Sequence, residues 1–82
     1  MERDEILDKV GVICMDVLEV EGLNITESTS AADVEGWDSL AHIGIMSEIE
    51  TAFNIEFSLD DMQNAKSIGQ LVNIVSKHLA KN

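Results

Sequence analysis

The chain has 82 residues, of which 45% are hydrophobic, 16 are acidic and 5 are basic, giving a net charge of −11. This length predicts a single domain, residues 1–82, whose hydrophobic core is near the smallest size that can keep a chain folded. The charge excludes nucleic acid and anionic membranes as partners and favours basic protein surfaces. The single cysteine excludes an internal disulfide, and no apolar run is long enough to span a membrane.

The first predicted element is a helix from Asp4 to about Val20. The chain contains no proline, has few aromatic residues and is rich in helix-forming aliphatic residues. Within this segment, apolar residues recur at helical spacing and predict one buried stripe. The stripe consists of Ile6, Val10, Ile13 and Val17. Cys14, next to that stripe, is interpreted as a small core residue, because no lysine or arginine adjoins it to activate the thiol.

Residues 21–37 show no sustained period and are predicted to form a long loop between the first two helices. A loop of this length must cross the bundle, so its few apolar side chains are the expected anchors. These are Leu23, Ile25, Val34 and Trp37.

The second predicted helix runs from Ser39 to about Phe53, with Asp38 as its N-cap. Its core-facing residues at helical spacing are His42, Ile45, Met46, Ile49 and Phe53. Ser39 falls in the first turn, where backbone amides lack partners and the helix dipole is positive. A phosphate attached to Ser39 would therefore be electrostatically favoured.

A second face of this helix continues from Ser39, and we call it the shoulder. It comprises Leu40, Ile43, Ser47 and Glu50, with Glu48 beside it pointing away from the core. A surface that is partly apolar and partly acidic suits docking to an enzyme with a basic rim. The alternative is an ordinary amphipathic helix with two exposed hydrophobic residues on its flank.

Two further helices complete the fold. Ser58 is the predicted cap of a short third helix that includes Asp60, Asp61 and Met62. A capping box from Ser67 to Gln70 starts a last helix that ends at about Leu79. Its apolar stripe is Ile68, Leu71, Val72, Val75 and Leu79, and its C-terminal dipole is complemented by Lys77, His78 and Lys81. The predicted fold is an all-α four-helix bundle with three principal helices and one short helix.

The sequence predicts no enzymatic activity and no metal site. Ser39 lies in neither a Gly-x-Ser-x-Gly nor a Ser-x-x-Lys motif, and His42, one turn away, lacks an evident carboxylate to orient it. The Asp60-Asp61 pair lacks the other ligands of an EF-hand loop. A bundle of this size is also expected to leave little room for a pocket of ligand size.

The order of these motifs resembles that of the acyl carrier proteins over nearly the whole chain. The resemblance rests on Asp38-Ser39-Leu40, Ile49-Glu50, Phe53 and Ile55-Glu56-Phe57. It implies that Ser39 carries a covalent 4′-phosphopantetheine arm, whose thiol holds acyl groups as thioesters. It also implies that Asp38 contacts the transient magnesium ion of a phosphopantetheinyl transferase. Acyl-transferring or condensing enzymes with basic docking patches are the other expected partners of a monomeric, cytoplasmic protein.

Several alternatives remain open from the residues alone. An acidic helical adaptor that binds a basic protein and is never modified would share the same composition. Within the carriers, a specialised acyl or polyketide pathway is favoured over housekeeping fatty-acid synthesis. The segments that favour it are Gly36-Trp37-Asp38-Ser39-Leu40 and the run from Glu48 to Ala52. An aminoacyl or D-alanyl carrier is a further alternative.

Overall fold

The computed structural model describes residues 2–20, 22 and 24–80, and these residues are helical with no strand. The four α-helices are α1 (Arg3–Leu18), α2 (Ser39–Phe53), α3 (Leu59–Asn64) and α4 (Ile68–Ala80). The predicted bundle of three long helices and one short helix is therefore confirmed. Within the described ranges, no helix has the length and apolar character that crossing a membrane requires.

The helix ends follow local capping chemistry. The Asp38 carboxylate accepts a hydrogen bond from the Ala41 amide at 2.9 Å, so α2 begins where it was predicted. Ser58 caps α3 in the same way, through the Asp61 amide at 3.1 Å. The predicted end of α1 is wrong by two residues, because Glu19 adopts a left-handed conformation (φ 56°) and stops the helix after Leu18.

The start of α4 differs in one detail from the predicted capping box. Ser67 Oγ accepts a hydrogen bond from the Gln70 amide at 3.3 Å, as expected for an N-cap. The Gln70 side chain, however, accepts its hydrogen bond from the Lys66 amide, at 2.8 Å, and not from Ser67. The Gln70 side chain therefore binds the backbone amide one residue before the N-cap, at Lys66.

The core joins α1, α2 and α4 in one cluster. Its largest fully buried side chains are Ile6, Val10, Cys14, Ile45, Met46, Ile49, Ile68, Leu71, Val72 and Val75. The predicted stripe of α1 is only partly right, because Ile13 and Val17 are half-buried and Cys14 beside them is fully buried. Cys14 has no exposed surface, and this burial raises the pKa of its thiol to about 12. Its interpretation as an inert core residue is confirmed, because only a thiolate is an effective nucleophile.

The long α1–α2 loop is fixed to the start of α1 and to the start of α4. The guanidinium of Arg3 forms an ion pair with Glu27, with its Nε 3.0 Å from Oε2. The Glu27 carbonyl accepts a hydrogen bond from the Gly69 amide at 2.8 Å. A Cβ at Gly69 would lie only 2.8 Å from that carbonyl oxygen, so glycine is what permits this approach of the loop to α4.

The second half of the loop lies against the α3–α4 connection. Ser30 and Ser67 form an isolated antiparallel bridge, and the Ala31 amide donates to the Lys66 carbonyl at 3.2 Å. A short 3₁₀ helix, Ala31–Asp33, follows; it was not predicted, because three residues are too few to show a period. Of the predicted anchors, Val34 and Trp37 are buried and Ile25 is half-buried, whereas Leu23 lies outside the described residues.

Candidate functional site

Ser39 occupies the first residue of α2 and is exposed to solvent. Directly before it, Asp38 accepts from the Ala41 amide with its side chain and from the His42 amide with its carbonyl, the latter at 2.9 Å. Within the described part of the chain, the amides of Ser39 and Leu40 have no hydrogen-bond partner. A group attached to the Ser39 hydroxyl thus stands at the positive end of α2, next to free backbone donors.

A groove of about 440 Å³ lies beside Ser39, between the loop, α2, α3 and the α3–α4 connection. Its apolar lining residues are Ala31, Trp37, Ile43, Met62 and Ala65. Its polar lining residues are Asp38, Ser39, His42, Gln63 and Lys66. The expectation that the bundle leaves little room for a ligand is therefore wrong at this place, where the loop, α2, α3 and the α3–α4 connection line an open groove.

Trp37 and His42 support the floor of this groove. The Trp37 indole N–H donates to His42 Nδ1 at 3.2 Å. Because Nδ1 accepts that bond, the imidazole carries its proton on Nε2, which donates to the Met62 carbonyl at 3.2 Å. The Met62 carbonyl lies in the last turn of α3, where helical carbonyls lack intrahelical partners. One imidazole therefore connects the loop, α2 and α3.

These contacts decide whether His42 acts on Ser39. Both ring nitrogens of His42 are engaged, one by Trp37 and the other by Met62. A general base for Ser39 needs a free nitrogen lone pair directed at the serine hydroxyl. The spacing of Ser39 and His42 by one turn is thus coincidental, as expected, and His42 is a structural residue.

A second histidine fixes the other side of α3. His78, in the last turn of α4, places Nε2 2.8 Å from the Asp61 carboxylate. Its ring packs against Phe57 in a T-shaped arrangement, with the ring centroids 5.7 Å apart. The hydrogen bonds from His78 and from the Ser58 backbone lower the pKa of Asp61 below its ordinary value of 3.8. His78 lies in the last turn as predicted, but its main partner is this carboxylate of α3, which the sequence did not reveal.

The shoulder of α2 is exposed over most of its length. Leu40 is 80% exposed and Ile43 58% exposed, which is unusual for large apolar side chains in a protein this small. Ser47 and Glu48 are also exposed. These four side chains have the accessibility that the predicted docking surface requires.

Glu50, on the shoulder, has a structural contact that the sequence did not predict. Its side chain is half-buried, and Oε2 accepts a hydrogen bond from the Phe57 amide at 2.8 Å. This bond closes the turn between α2 and α3 and satisfies a partly buried amide. The carboxylate therefore holds the turn through one of its oxygens, and its predicted place on the docking surface stays a prediction.

Sequence reasoning missed the groove and its basic residue, Lys66. The α3–α4 connection is remote from Ser39 in the chain and has no periodic pattern that predicts where its side chains lie. The only available signal was the presence of a lysine in a connection of a strongly acidic chain. Among the described residues, no group of three side chains is arranged to hold a metal ion.

Comparison with known proteins identifies the family. A family profile described as "Phosphopantetheine attachment site" matches residues 8–75, which include Ser39 and all of α2 and α3. The acyl carrier protein of Guillardia theta is 32% identical over 80 residues, covering 98% of this chain and 99% of the relative. The chain belongs to the acyl carrier protein family. The acyl carrier protein of Amoebophilus asiaticus is 34% identical over 77 residues, covering 94% of this chain and 96% of the relative.

A solved structure extends the match to three dimensions. The solution structure of holo acyl carrier protein from Geobacter metallireducens superimposes with a TM-score of 0.84 at 35% identity. The match covers 92% of this chain and 86% of that one. Membership of the acyl carrier protein family makes the chain a non-catalytic carrier with 4′-phosphopantetheine as its cofactor, and it argues against an unmodified adaptor. The thioester chemistry belongs to that cofactor, while the protein presents it.

Proposed function

We propose that Ser39 is the attachment site of the 4′-phosphopantetheine arm. The observation that carries this assignment is the exposure of Ser39 at the first residue of α2, directly beside a groove of about 440 Å³. In loading, the Ser39 hydroxyl loses its proton and forms a phosphodiester bond, and the nucleotide portion of coenzyme A leaves. The free amides at the start of α2 favour the negative charge that this bond brings.

Asp38 has the geometry to assist the loading enzyme. Its Oδ1 is fixed by the Ala41 amide, so the carboxylate is held next to Ser39. Within the described residues, Oδ2 accepts no hydrogen bond, and the side chain is exposed. We propose that this oxygen contacts the magnesium ion of a phosphopantetheinyl transferase during loading, since carboxylate oxygens are preferred ligands of that ion.

Intact-mass measurement tests the assignment of Ser39. After incubation with a phosphopantetheinyl transferase and coenzyme A, the wild-type protein should gain one phosphopantetheine mass. Ser39→Ala should gain none, while Ser47→Ala, which removes another exposed hydroxyl from the same helix, should be loaded like the wild type. A mass gain in Ser39→Ala, or none in the wild type, contradicts the assignment.

We further propose that the exposed part of the shoulder is the docking surface for partner enzymes. Leu40 and Ile43 supply apolar contact area close to Ser39, and Glu48 supplies negative charge. A partner that reaches Ser39 must cover this face, so an apolar patch within a basic rim is the complementary surface. The expected partners are the transferase and the acyl-transferring or condensing enzymes that use the loaded arm. Ser47, between Ile43 and Glu48, is small enough to let such a partner approach α2.

The pathway that we propose is specialised acyl or polyketide biosynthesis. Trp37 before Asp38-Ser39, and Thr51-Ala52 where a denser acidic run would stand, support this choice over housekeeping fatty-acid synthesis. A single core that includes all the long helices supports a monomeric, one-domain carrier. The lone buried thiol of Cys14 is compatible with a reducing, cytoplasmic environment.

A further inference from the structure

The groove beside Ser39 contains a basic side chain in a protein that has few of them. Four basic residues lie in the described part of the chain: Arg3, Lys9, Lys66 and Lys77. Arg3 is paired with Glu27, Lys9 lies over the Phe53 ring at 5.9 Å, and Lys77 is in the last turn of α4. Lys66 alone lines the groove, and within the described residues it has no carboxylate within ion-pair distance.

The backbone of Lys66 is held in place from three sides. Its amide donates to the Gln70 side chain at 2.8 Å and to the Asn64 carbonyl at 3.0 Å. Its carbonyl accepts from the Ala31 amide of the loop at 3.2 Å. The lysine side chain therefore starts from a fixed point beside the groove, so that only its side-chain rotamers remain to be ordered when its ammonium group binds there.

The charges around Ser39 explain what this lysine does when the arm is present. Attachment of the arm adds a phosphodiester, and hence a negative charge, next to the Asp38 carboxylate. In a chain with a net charge of −11, that addition is opposed by like charges. Lys66 is the cation that shares the groove with both Asp38 and Ser39.

Resting on the assignment of Ser39, we propose that Lys66 pairs with the phosphodiester of the arm and directs the arm along the groove. Lys66 is then a positioning residue of the carrier. Trp37, Ile43 and Met62 line the groove and supply apolar contacts for the methyl-bearing part of the arm that follows the phosphate. Gln63 also lines the groove, and its side-chain amide is the expected hydrogen-bond partner of the amide groups of the arm. The groove thus shelters the arm between encounters with partner enzymes.

The experiment compares unloaded and loaded protein by amide NMR, with the mass of every sample measured first. In the wild type, loading should shift the amide signals of Met62 and Gln63 and the indole N–H of Trp37. In loaded Lys66→Gln, the ratio of arm in the groove to arm in solvent should fall by about 1.5- to 5-fold, the range for an exposed ion pair. Added salt should reduce these shifts in the wild type and have less effect in Lys66→Gln.

Two control variants separate charge from packing. Lys66→Arg keeps the charge and should retain the shifts, and Lys77→Gln removes an equal charge from the end of α4 and should leave them unchanged. The inference is overturned if loading moves only residues next to Ser39, or if loaded Lys66→Gln matches the wild type. A wild-type sample that gains no mass overturns the assignment of Ser39 itself, which is a different result from a loaded protein whose groove signals do not move.

Discussion

The Trp37 indole N–H donates to His42 Nδ1 at 3.2 Å, and the two rings lie 28° from parallel with their centroids 6.1 Å apart. This contact joins the loop that precedes Ser39 to the first full turn of α2. Through the bond from His42 to the Met62 carbonyl, it also holds α3 against α2. The floor of the groove is therefore set by side chains and not by the helices alone.

Replacing Trp37 by Phe should lower the free energy of unfolding by about 0.5–1.5 kcal/mol, because one partly buried hydrogen bond is lost. Urea denaturation followed by circular dichroism measures the change. In a His42→Ala background the same replacement should cost less, since the acceptor is already absent. Equal losses in both backgrounds would mean that the hydrogen bond contributes nothing to stability.

Glu50→Ala should destabilise the fold by about 1–3 kcal/mol, because the Phe57 amide loses a charged acceptor that closes the α2–α3 turn. Glu48→Ala removes an equal charge two residues earlier from an exposed position and should change stability by no more than about 0.5 kcal/mol. Denaturant unfolding of both variants checks the difference. Similar stabilities for the two variants would mean that the hydrogen bond from Phe57 to Glu50 contributes nothing to stability.

Loading by a basic transferase should be slowed by Glu48→Lys and should then depend less on salt than in the wild type. Asp8→Lys is the matched control, because Asp8 is also exposed but lies far from Ser39. It is on α1 and lines the same surface depression as Ala52, near the C-terminal end of α2. Ala52 is about 20 Å along the helix from Ser39. Initial loading rates at several salt concentrations are the measurement.

Leu40→Ala should also slow loading, but with the salt dependence of the wild type, because it removes apolar contact area and no charge. Loading rates for Leu40→Ala and Glu48→Lys that both equal the wild-type rate would move the docking surface away from α2. The next surface to test would then be α3, around the exposed Asp60.

The Asp61–His78 contact predicts an acid dependence of stability. The pKa of Asp61 is lowered in the folded protein from its ordinary value of 3.8, so the folded state favours the carboxylate form. Its contribution is complete above the ordinary pKa and is lost as the pH falls through the lower, folded pKa. Asp61→Asn should therefore cost about 1–2 kcal/mol at pH 6, and the difference from the wild type should shrink below about pH 4.

The control for this effect is Asp60→Asn, which removes a neighbouring exposed carboxylate from the same first turn of α3. Its difference from the wild type should be small at every pH. Urea midpoints between pH 6 and pH 2.5 provide the comparison. A difference for Asp61→Asn that stays constant down to the lowest pH would show that the carboxylate charge is not what the contact uses.

The sequence alone determined the helices and their order, and it pointed to Ser39 as the candidate attachment site. Asp38, Ser58 and Ser67 cap helices through amides three residues away, so their effect is readable from neighbouring residues. The apolar stripes that became the core are set by the 3.6-residue period of a helix, which is also local. Ser39 was identifiable because it follows a cap and lies within a motif that resembles one family.

Only the tertiary structure decided which of the remaining polar side chains act on the site. Glu50 meets Phe57, His42 meets both Trp37 and Met62, and His78 meets Asp61. Lys66 faces the groove of Ser39 although 26 other residues separate the two in the chain. Such pairings depend on how the loop and the short α3 pack on the three long helices. Helical periodicity predicts which face of its own helix a side chain lies on. It does not predict which residues of an irregular segment pack against that face.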